Sequence, residues 1–193
     1  RDSLGISANA RVSVVMGGSL GSAVLNTATE HLVQSLRSTE HTCVIHIAGE
    51  RFMNSVQLPV MMHHSNGSLS YLRVAYSNDM ITMYAAADVV VCRAGASTIA
   101  EVSTVGVCAV IVPWKDAAEN HQLVNAKWLT DRGGAVLLEE ENLSAHEFSQ
   151  LVTELLCDDD RRLAFASRAR ELGEVHRKSA LASVIEHAAQ AQL

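Results

Sequence analysis

Anion and hydroxyl recognition are the chemistries this chain is equipped for, and the residues for them gather in three short loops. In Met16-Gly17-Gly18-Ser19-Leu20-Gly21-Ser22, an apolar run ends in three glycines, which let backbone N–H groups approach an anion while Ser19 adds a hydroxyl donor. The spacing G-G-x-x-G, with no lysine after it, is neither the dinucleotide fingerprint G-x-G-x-x-G nor a Walker loop. A tight strand-to-helix turn is the simpler reading, and the strand-loop-helix context favours anion binding. The second loop, Arg93-Ala94-Gly95-Ala96-Ser97, follows the run Val89 to Cys92 and leads into Thr98-x-x-Glu101, which reads as a capping box. Glu101 then either returns to the Thr98 N–H or, in the first turn of a helix facing a crevice, accepts hydrogen bonds from a diol such as a ribose. Both readings stay open on the residues alone. The third loop, Pro113 to Ala126, crowds Asp116, Glu119, Asn120, His121, Gln122 and Asn125 together. An exposed capped loop explains it most simply, and a shared sheet rim with the other two makes it a ligand-site candidate.

Other chemistries find no support. There is no G-x-S-x-G elbow and no H-E-x-x-H, and no His, Cys and Asp set has metal spacing, so neither a nucleophile nor a metal site is expected. His63-His64 reads as an ordinary loop pair, and His41 and His46 as edge or rim positions beside a strand. Cys43, Cys92, Cys108 and Cys157 form no C-x-x-C pair and are expected to be buried, reduced thiols of a cytosolic protein. The formal charge of −6, with no run of Lys or Arg, argues against a nucleic-acid partner. No stretch reaches the ~18 consecutive apolar residues of a membrane span.

The elements that must position these loops follow from hydrophobic periodicity. Strands are predicted at Val12 to Met16, Val44 to Ala48, Leu72 to Tyr76, Val89 to Cys92, Ala109 to Val112 and Ala135 to Leu138. Their continuous hydrophobicity implies burial on both faces. Helical segments fall between them: Ser22 to Leu36, with Leu25, Ala28, Leu32 and Leu36 on one face, then Asp79 to Ala87, Thr98 to Thr104 and His121 to Asp131. The alternation predicts an α/β fold, a Rossmann-like doubly wound parallel sheet of about six strands. A helical C-terminal tail follows: Ser144 to Leu156, opened by the capping box Ser144-x-x-Glu147, then Asp159 to Leu172 and Ala180 to Gln190. Arg51 to Ser70 is expected to be a loop or a poorly formed helix. With 193 residues and 48% hydrophobic content, one domain is expected: 1–10 a hinge or linker remnant, 11–141 the core and 142–193 the tail.

Four stretches together resemble a known family: GGSLGS (Gly17 to Ser22), ADVVVCRAGASTIAE (Ala87 to Glu101), Val112-Pro113 and HQLVNA (His121 to Ala126). Over roughly Val12 to Ala188, in order and with similar spacing, the chain resembles the C-terminal, donor-binding half of the bacterial peptidoglycan N-acetylglucosaminyltransferases. These are glycosyltransferase family 28 enzymes built from two Rossmann domains (GT-B). The resemblance implies binding of UDP-N-acetylglucosamine and transfer of the sugar, with inversion, to the 4-hydroxyl of lipid-linked muramoyl-pentapeptide in peptidoglycan synthesis. By motif match, Ser19 and the backbone from Gly18 through Leu20 to Gly21 would contact the diphosphate and Glu101 the ribose. Arg93, Gly95, Ala96, Ser97 and Thr98 would line the sugar-diphosphate region, His121 and Gln122 would reach sugar hydroxyls, and the backbone near Ser77 would read the uracil edge. No cofactor or bound metal is implied. The chain departs from the family at Ser77, commonly aliphatic, and at His121, commonly glutamine. Arg1 is matched to an arginine the family places at the interdomain hinge near the diphosphate.

The resemblance also implies that the acceptor-binding N-terminal domain, with the catalytic base and the membrane-facing surface, is absent from this chain. A chain of this kind is expected to bind donor without turnover. The full-length protein is expected to be cytoplasmic, peripheral at the inner face of the cell membrane. Three alternatives remain. One is a donor-binding subunit of another UDP-sugar transferase, such as the one acting on dolichol-linked oligosaccharide. Another is an NAD-binding Rossmann domain with Glu50 on the adenosine ribose, against which the glycine spacing argues. The third is a non-catalytic interaction module whose rim loops are only capped turns.

Overall fold

The apolar runs assemble into one seven-stranded sheet in the computed structural model, which describes residues 1–37, 39, 41–178 and 189. In chain order the strands are β1 (Arg11–Met16), β2 (Thr42–Ile47), β3 (Met61–His63), β4 (Leu69–Val74), β5 (Val89–Cys92), β6 (Cys108–Ile111) and β7 (Val136–Leu137). They lie side by side as β3-β4-β2-β1-β5-β6-β7. Every pairing is parallel except β3 on β4. The helices described are α1 (Ala23–Ser35), α2 (Met80–Ala86), α3 (Ala96–Val105), α4 (His121–Thr130), α5 (Ala145–Cys157), α6 (Asp159–Leu172) and the short α7 (Glu174–Arg177).

Burial on both faces follows from the period of two along each strand. Val12, Val14 and Met16 of β1 point into a core shared with Ile45, Val90, Ile99, Val102 and Leu129, under α3 and α4. Val15, from the alternate position, joins Leu25, Leu32, Tyr71, Val91, Phe148 and Val152 under α1 and α5. The predicted helical face Leu25, Ala28, Leu32 and Leu36 is buried as a unit. Ser144 caps α5 by accepting from the Glu147 N–H at 3.1 Å.

Several expectations are corrected. The sheet, of about the six strands expected, gains a seventh, because Arg51 to Ser70 is neither loop nor helix throughout. It opens within a 3-10 turn (Glu50–Phe52), passes through the antiparallel edge strand β3 and ends as β4 begins. Three residues with an irregular register between Met62 and His63 are too few to leave a periodic signal. Helix α3 starts before the predicted box: Gly95 is its N-cap and Ile99 N donates to Gly95 O at 3.0 Å, so Thr98 lies inside the first turn and Glu101 in the second. Residues 1–10 are not a free linker. Ile6 and Ala10 are buried, and Arg1 donates to Ala86 O, Ala10 O and Asp88 Oδ2. These partners precede β5 and β1, so Arg1 lies at the end of the sheet opposite the three loops rather than near a diphosphate. Cys43, Cys92 and Cys108 are buried and Cys157 is exposed, all four as free thiols. The predicted helix Ala180 to Gln190, save residue 189, lies outside the described residues.

Candidate functional site

Strand order reverses between β1 and β5: the chain runs from β1 to β2 on one side and from β5 to β6 on the other. In open α/β sheets this switch point opens a crevice beyond the strand ends, where ligands bind. Two helices begin there. In α1 the Ser22 hydroxyl accepts from Leu25 N at 3.3 Å and Ser22 O accepts from Asn26 N, which leaves the Ala23 and Val24 N–H groups without intrahelical acceptors. In α3 the same holds for Ala96, Ser97 and Thr98. Both sets of donors, with the positive ends of two helix dipoles, suit an anion.

The glycine loop is held at this point by contact with the neighbouring strand. Gly21 has φ 70°, a left-handed conformation, and a Cβ there would run into the Ala48 carbonyl and come within 2.9 Å of the Phe52 ring. Gly49, after β2, presses against Gly21 in return. The β1 and β2 ends are thus closely packed at these two glycines. Ser19 and Leu20 stand exposed above this contact, Leu20 at 69%.

Arg93 does not face the crevice as expected. Its buried guanidinium grips Glu140 bidentately at 2.9 and 3.1 Å and donates also to Val112 O, Pro113 O and the Ser22 hydroxyl. It ties the loops after β1, β6 and β7 to its own strand β5, and its fork is occupied by the protein. Burial opposes the charge of Glu140, yet the Arg93 hydrogen bonds, the Lys115 N–H and both nearby cations together hold its pKa below the ordinary value.

Helix α4 braces the other side. Gln122 Oε1 accepts from Ala94 N at 3.2 Å and Trp114 N at 3.0 Å, while Asn125 donates to Ala94 O at 3.1 Å. Two N–H donors require the amide oxygen to face them, so the Gln122 amide nitrogen is the group left for a ligand. His121 is exposed, and with Nδ1 donating to Ala118 O at 2.7 Å its Nε2 is an acceptor in the neutral ring. The chain enters α4 through two left-handed residues, Glu119 (φ 51°) and Asn120 (φ 53°), a conformation that costs an L-residue roughly 1–2 kcal/mol.

Glu101 projects from α3 and its Oε2 accepts from the Tyr84 hydroxyl at 2.8 Å. Tyr84 is buried on α2, which packs against β1 and α3. Ser77 precedes α2, with its hydroxyl accepting from Asp79 N, and Asp79 in turn caps α2 through Thr82 N. Gly95 stands directly below the Thr98 hydroxyl, 3.6 Å from where a Cβ would be.

His46 corrects its expected place at an edge or rim. It is buried in β2, bonded to the Tyr71 hydroxyl at 3.0 Å and to Asn26 Oδ1 at 2.9 Å, and Asn26 donates to Ala48 O. The network pins α1 to the end of β2, beneath the glycine loop. Among the described residues no three His, Cys, Asp or Glu side chains gather as metal ligands, and no helix is long and apolar enough to cross a membrane.

Residues 12–185 match the family described as the glycosyltransferase family 28 C-terminal domain. The chain belongs to this family. A family 28 relative from Aromatoleum aromaticum, named UDP-N-acetylglucosamine--N-acetylmuramyl-(pentapeptide) pyrophosphoryl-undecaprenol N-acetylglucosamine transferase, is 35% identical over 176 residues, 91% of this chain and 48% of that protein. The crystal structure of MurG from Acinetobacter baumannii is similar with a TM-score of 0.69 and 32% identity, covering 84% of this chain and 47% of the other. A glycosyltransferase of kitacinnamycin, TM-score 0.67 and 20% identity, shares the fold. The chain spans about half the length of the curated relatives it matches.

Within this family 28 domain the rim brings together Gly18, Ser19, Leu20 and Gly21 with Gly95, Ala96, Ser97 and Thr98 at adjacent strand ends, and Gln122 bonds to Ala94, just before the second group. Glu101 joins them through α3, and Ser77 lies on the approach to α2. Sequence reasoning missed Tyr84, Glu140 and Asn26. None carries a local signal, because each acts on a partner at least 17 residues away in the chain.

Proposed function

We propose that this chain binds UDP-N-acetylglucosamine and acts as the donor half of a transferase that moves N-acetylglucosamine to lipid-linked muramoyl-pentapeptide. The observation that carries the reading is the pair of helix N-termini, α1 and α3, flanking the β1/β5 switch point with a carboxylate one turn further along α3. In this reading the diphosphate lies across the glycine loop and the free N–H groups of Ala23, Val24, Ala96, Ser97 and Thr98. Glu101 accepts from the ribose hydroxyls, Gln122 donates to the sugar with His121 beside it, and the backbone near Ser77 meets the uracil. The activity named for relatives about 35% identical over nine-tenths of the chain supports the sugar and the acceptor.

The chemistry follows from that placement. The acceptor hydroxyl attacks the anomeric carbon as the bond to the diphosphate oxygen breaks, and UDP leaves with the electron pair. Negative charge develops where N–H donors already point, which stabilises the transition state without reorganisation and without a bound metal. The hydroxyl proton passes to a base on the part of the relatives that this chain does not span, where the acceptor site also belongs. In this reading a lipid-linked acceptor brings the whole enzyme to a membrane as a peripheral protein, and a nucleotide-sugar donor puts it on the cytoplasmic face. The glycine spacing G-G-x-x-G, which departs from the dinucleotide fingerprint G-x-G-x-x-G, supports this reading over a nicotinamide dinucleotide.

Isothermal titration calorimetry with UDP, UDP-N-acetylglucosamine, UDP-glucose and NADH tests the proposal. Saturable heat with UDP and its N-acetylglucosamine conjugate, and none with NADH, is expected. Heat with NADH alone, or silence with every UDP ligand from a chain folded by circular dichroism, overturns it.

A further inference from the structure

We propose that Tyr84 is a positioning residue that presents Glu101 to the nucleotide ribose, an inference that rests on reading Glu101 as the ribose acceptor. A glutamate on a helix surface ranges over many rotamers, and ordering it on binding costs conformational entropy. Glu101 is exposed, yet its Oε2 is held at 2.8 Å by a phenol whose ring is 2% exposed and packed in the core. A buried tyrosine has no freedom to follow a moving carboxylate, so the hydroxyl fixes the carboxylate instead. Burial first, and the carboxylate second, raise the Tyr84 pKa well above its ordinary value, so the phenol stays a donor.

The arrangement divides the carboxylate. Oε2 is engaged with protein, and Oε1 is left with its full acceptor capacity for a vicinal diol. Helix α2, which delivers Tyr84, is also the crossover that follows the Ser77 loop, so one element sets the ribose acceptor and borders the base. Preorganisation of this kind raises affinity by removing the ordering cost at binding.

The test compares UDP with 2′,3′-dideoxy-UDP by calorimetry on the chain and on Y84F, which keeps the ring and removes only the hydroxyl. The wild-type chain is expected to prefer UDP, and Y84F to lose roughly 5- to 15-fold in UDP affinity, the worth of about one hydrogen bond. Its affinity for the dideoxy nucleotide should stay within about twofold, since that ligand makes no use of Glu101. Adding Y84F to E101A should weaken UDP no further. A Y84F chain that melts like wild type and binds UDP equally well overturns the inference, as does one that loses both ligands alike, which a purely structural link between α2 and α3 would produce. If the wild-type chain fails to distinguish the two nucleotides, the ribose role of Glu101 falls and that of Tyr84 with it. If it binds neither, the nucleotide site itself is refuted.

Discussion

Arg93 shows how a single buried charge can tie several loops together. Its guanidinium joins four strand ends, and the buried partner Glu140 would be left as an uncompensated charge if Arg93 were removed. R93M should therefore destabilise the chain by about 3–5 kcal/mol. That corresponds to a fall of roughly 10 °C in a thermal unfolding midpoint. R93K should recover only part of this, because an ammonium cannot reproduce the two-pronged contact. Glu101 makes a milder case: it is exposed, so E101A should lower stability only by the cost of leaving the buried Tyr84 hydroxyl without its acceptor, about 1–3 kcal/mol. Losing a charged hydrogen-bond acceptor should weaken UDP by roughly 10- to 150-fold in a calorimetric titration. Charge and position in a motif marked both residues as candidates in the sequence. That the Arg93 fork is taken up by protein depends on Glu140, which lies 47 residues away.

Among the strand-to-loop-to-helix junctions, the one between β1 and α1 is the most constrained. Gly18 and Gly21 both have positive φ, but space is open around Gly18 whereas Gly21 abuts Ala48 and Phe52. G18A should then lose only the backbone term, about 1–2 kcal/mol. G21A must also displace the end of β2, so its midpoint in urea should fall further and its UDP titration should flatten. Equal effects of the two substitutions would show that the junction is not packed as described. The glycine pattern was readable because backbone geometry is a local demand. The start of α3 was misread by three residues, since Thr98-x-x-Glu101 has the composition of a capping box. Glu101 instead bonds to Tyr84 on another helix, and Gly95 takes the cap position.

In the whole molecule, a buried polar cluster, Asn26-His46-Tyr71, within the core under α1 makes stability depend on pH. Burial, and then the charge of Arg73, lower the His46 pKa from 6.5 to about 4. The unfolded chain takes up that proton at higher pH than the folded one, so the contribution is complete above pH 6.5 and is lost as pH falls toward 4. Its full size is about 3 kcal/mol. Urea midpoints measured at pH 7, 5.5 and 4 should decline accordingly, and H46Q, which cannot titrate, should show a shallower decline over the same window. The alternation of apolar strands with amphipathic helices is written into hydrophobic period, so the doubly wound class and the three rim loops were legible without coordinates. β3 was not, because a three-residue edge strand draws its order from pairing with β4 rather than from its own residues. His46 was not either: burial of a polar side chain depends on partners supplied by α1 and β4, which only folding brings within hydrogen-bond distance. Periodicity is a property of neighbours in sequence and survives in the chain as written, whereas the partner of each buried charge or polar group is chosen by packing across the sheet.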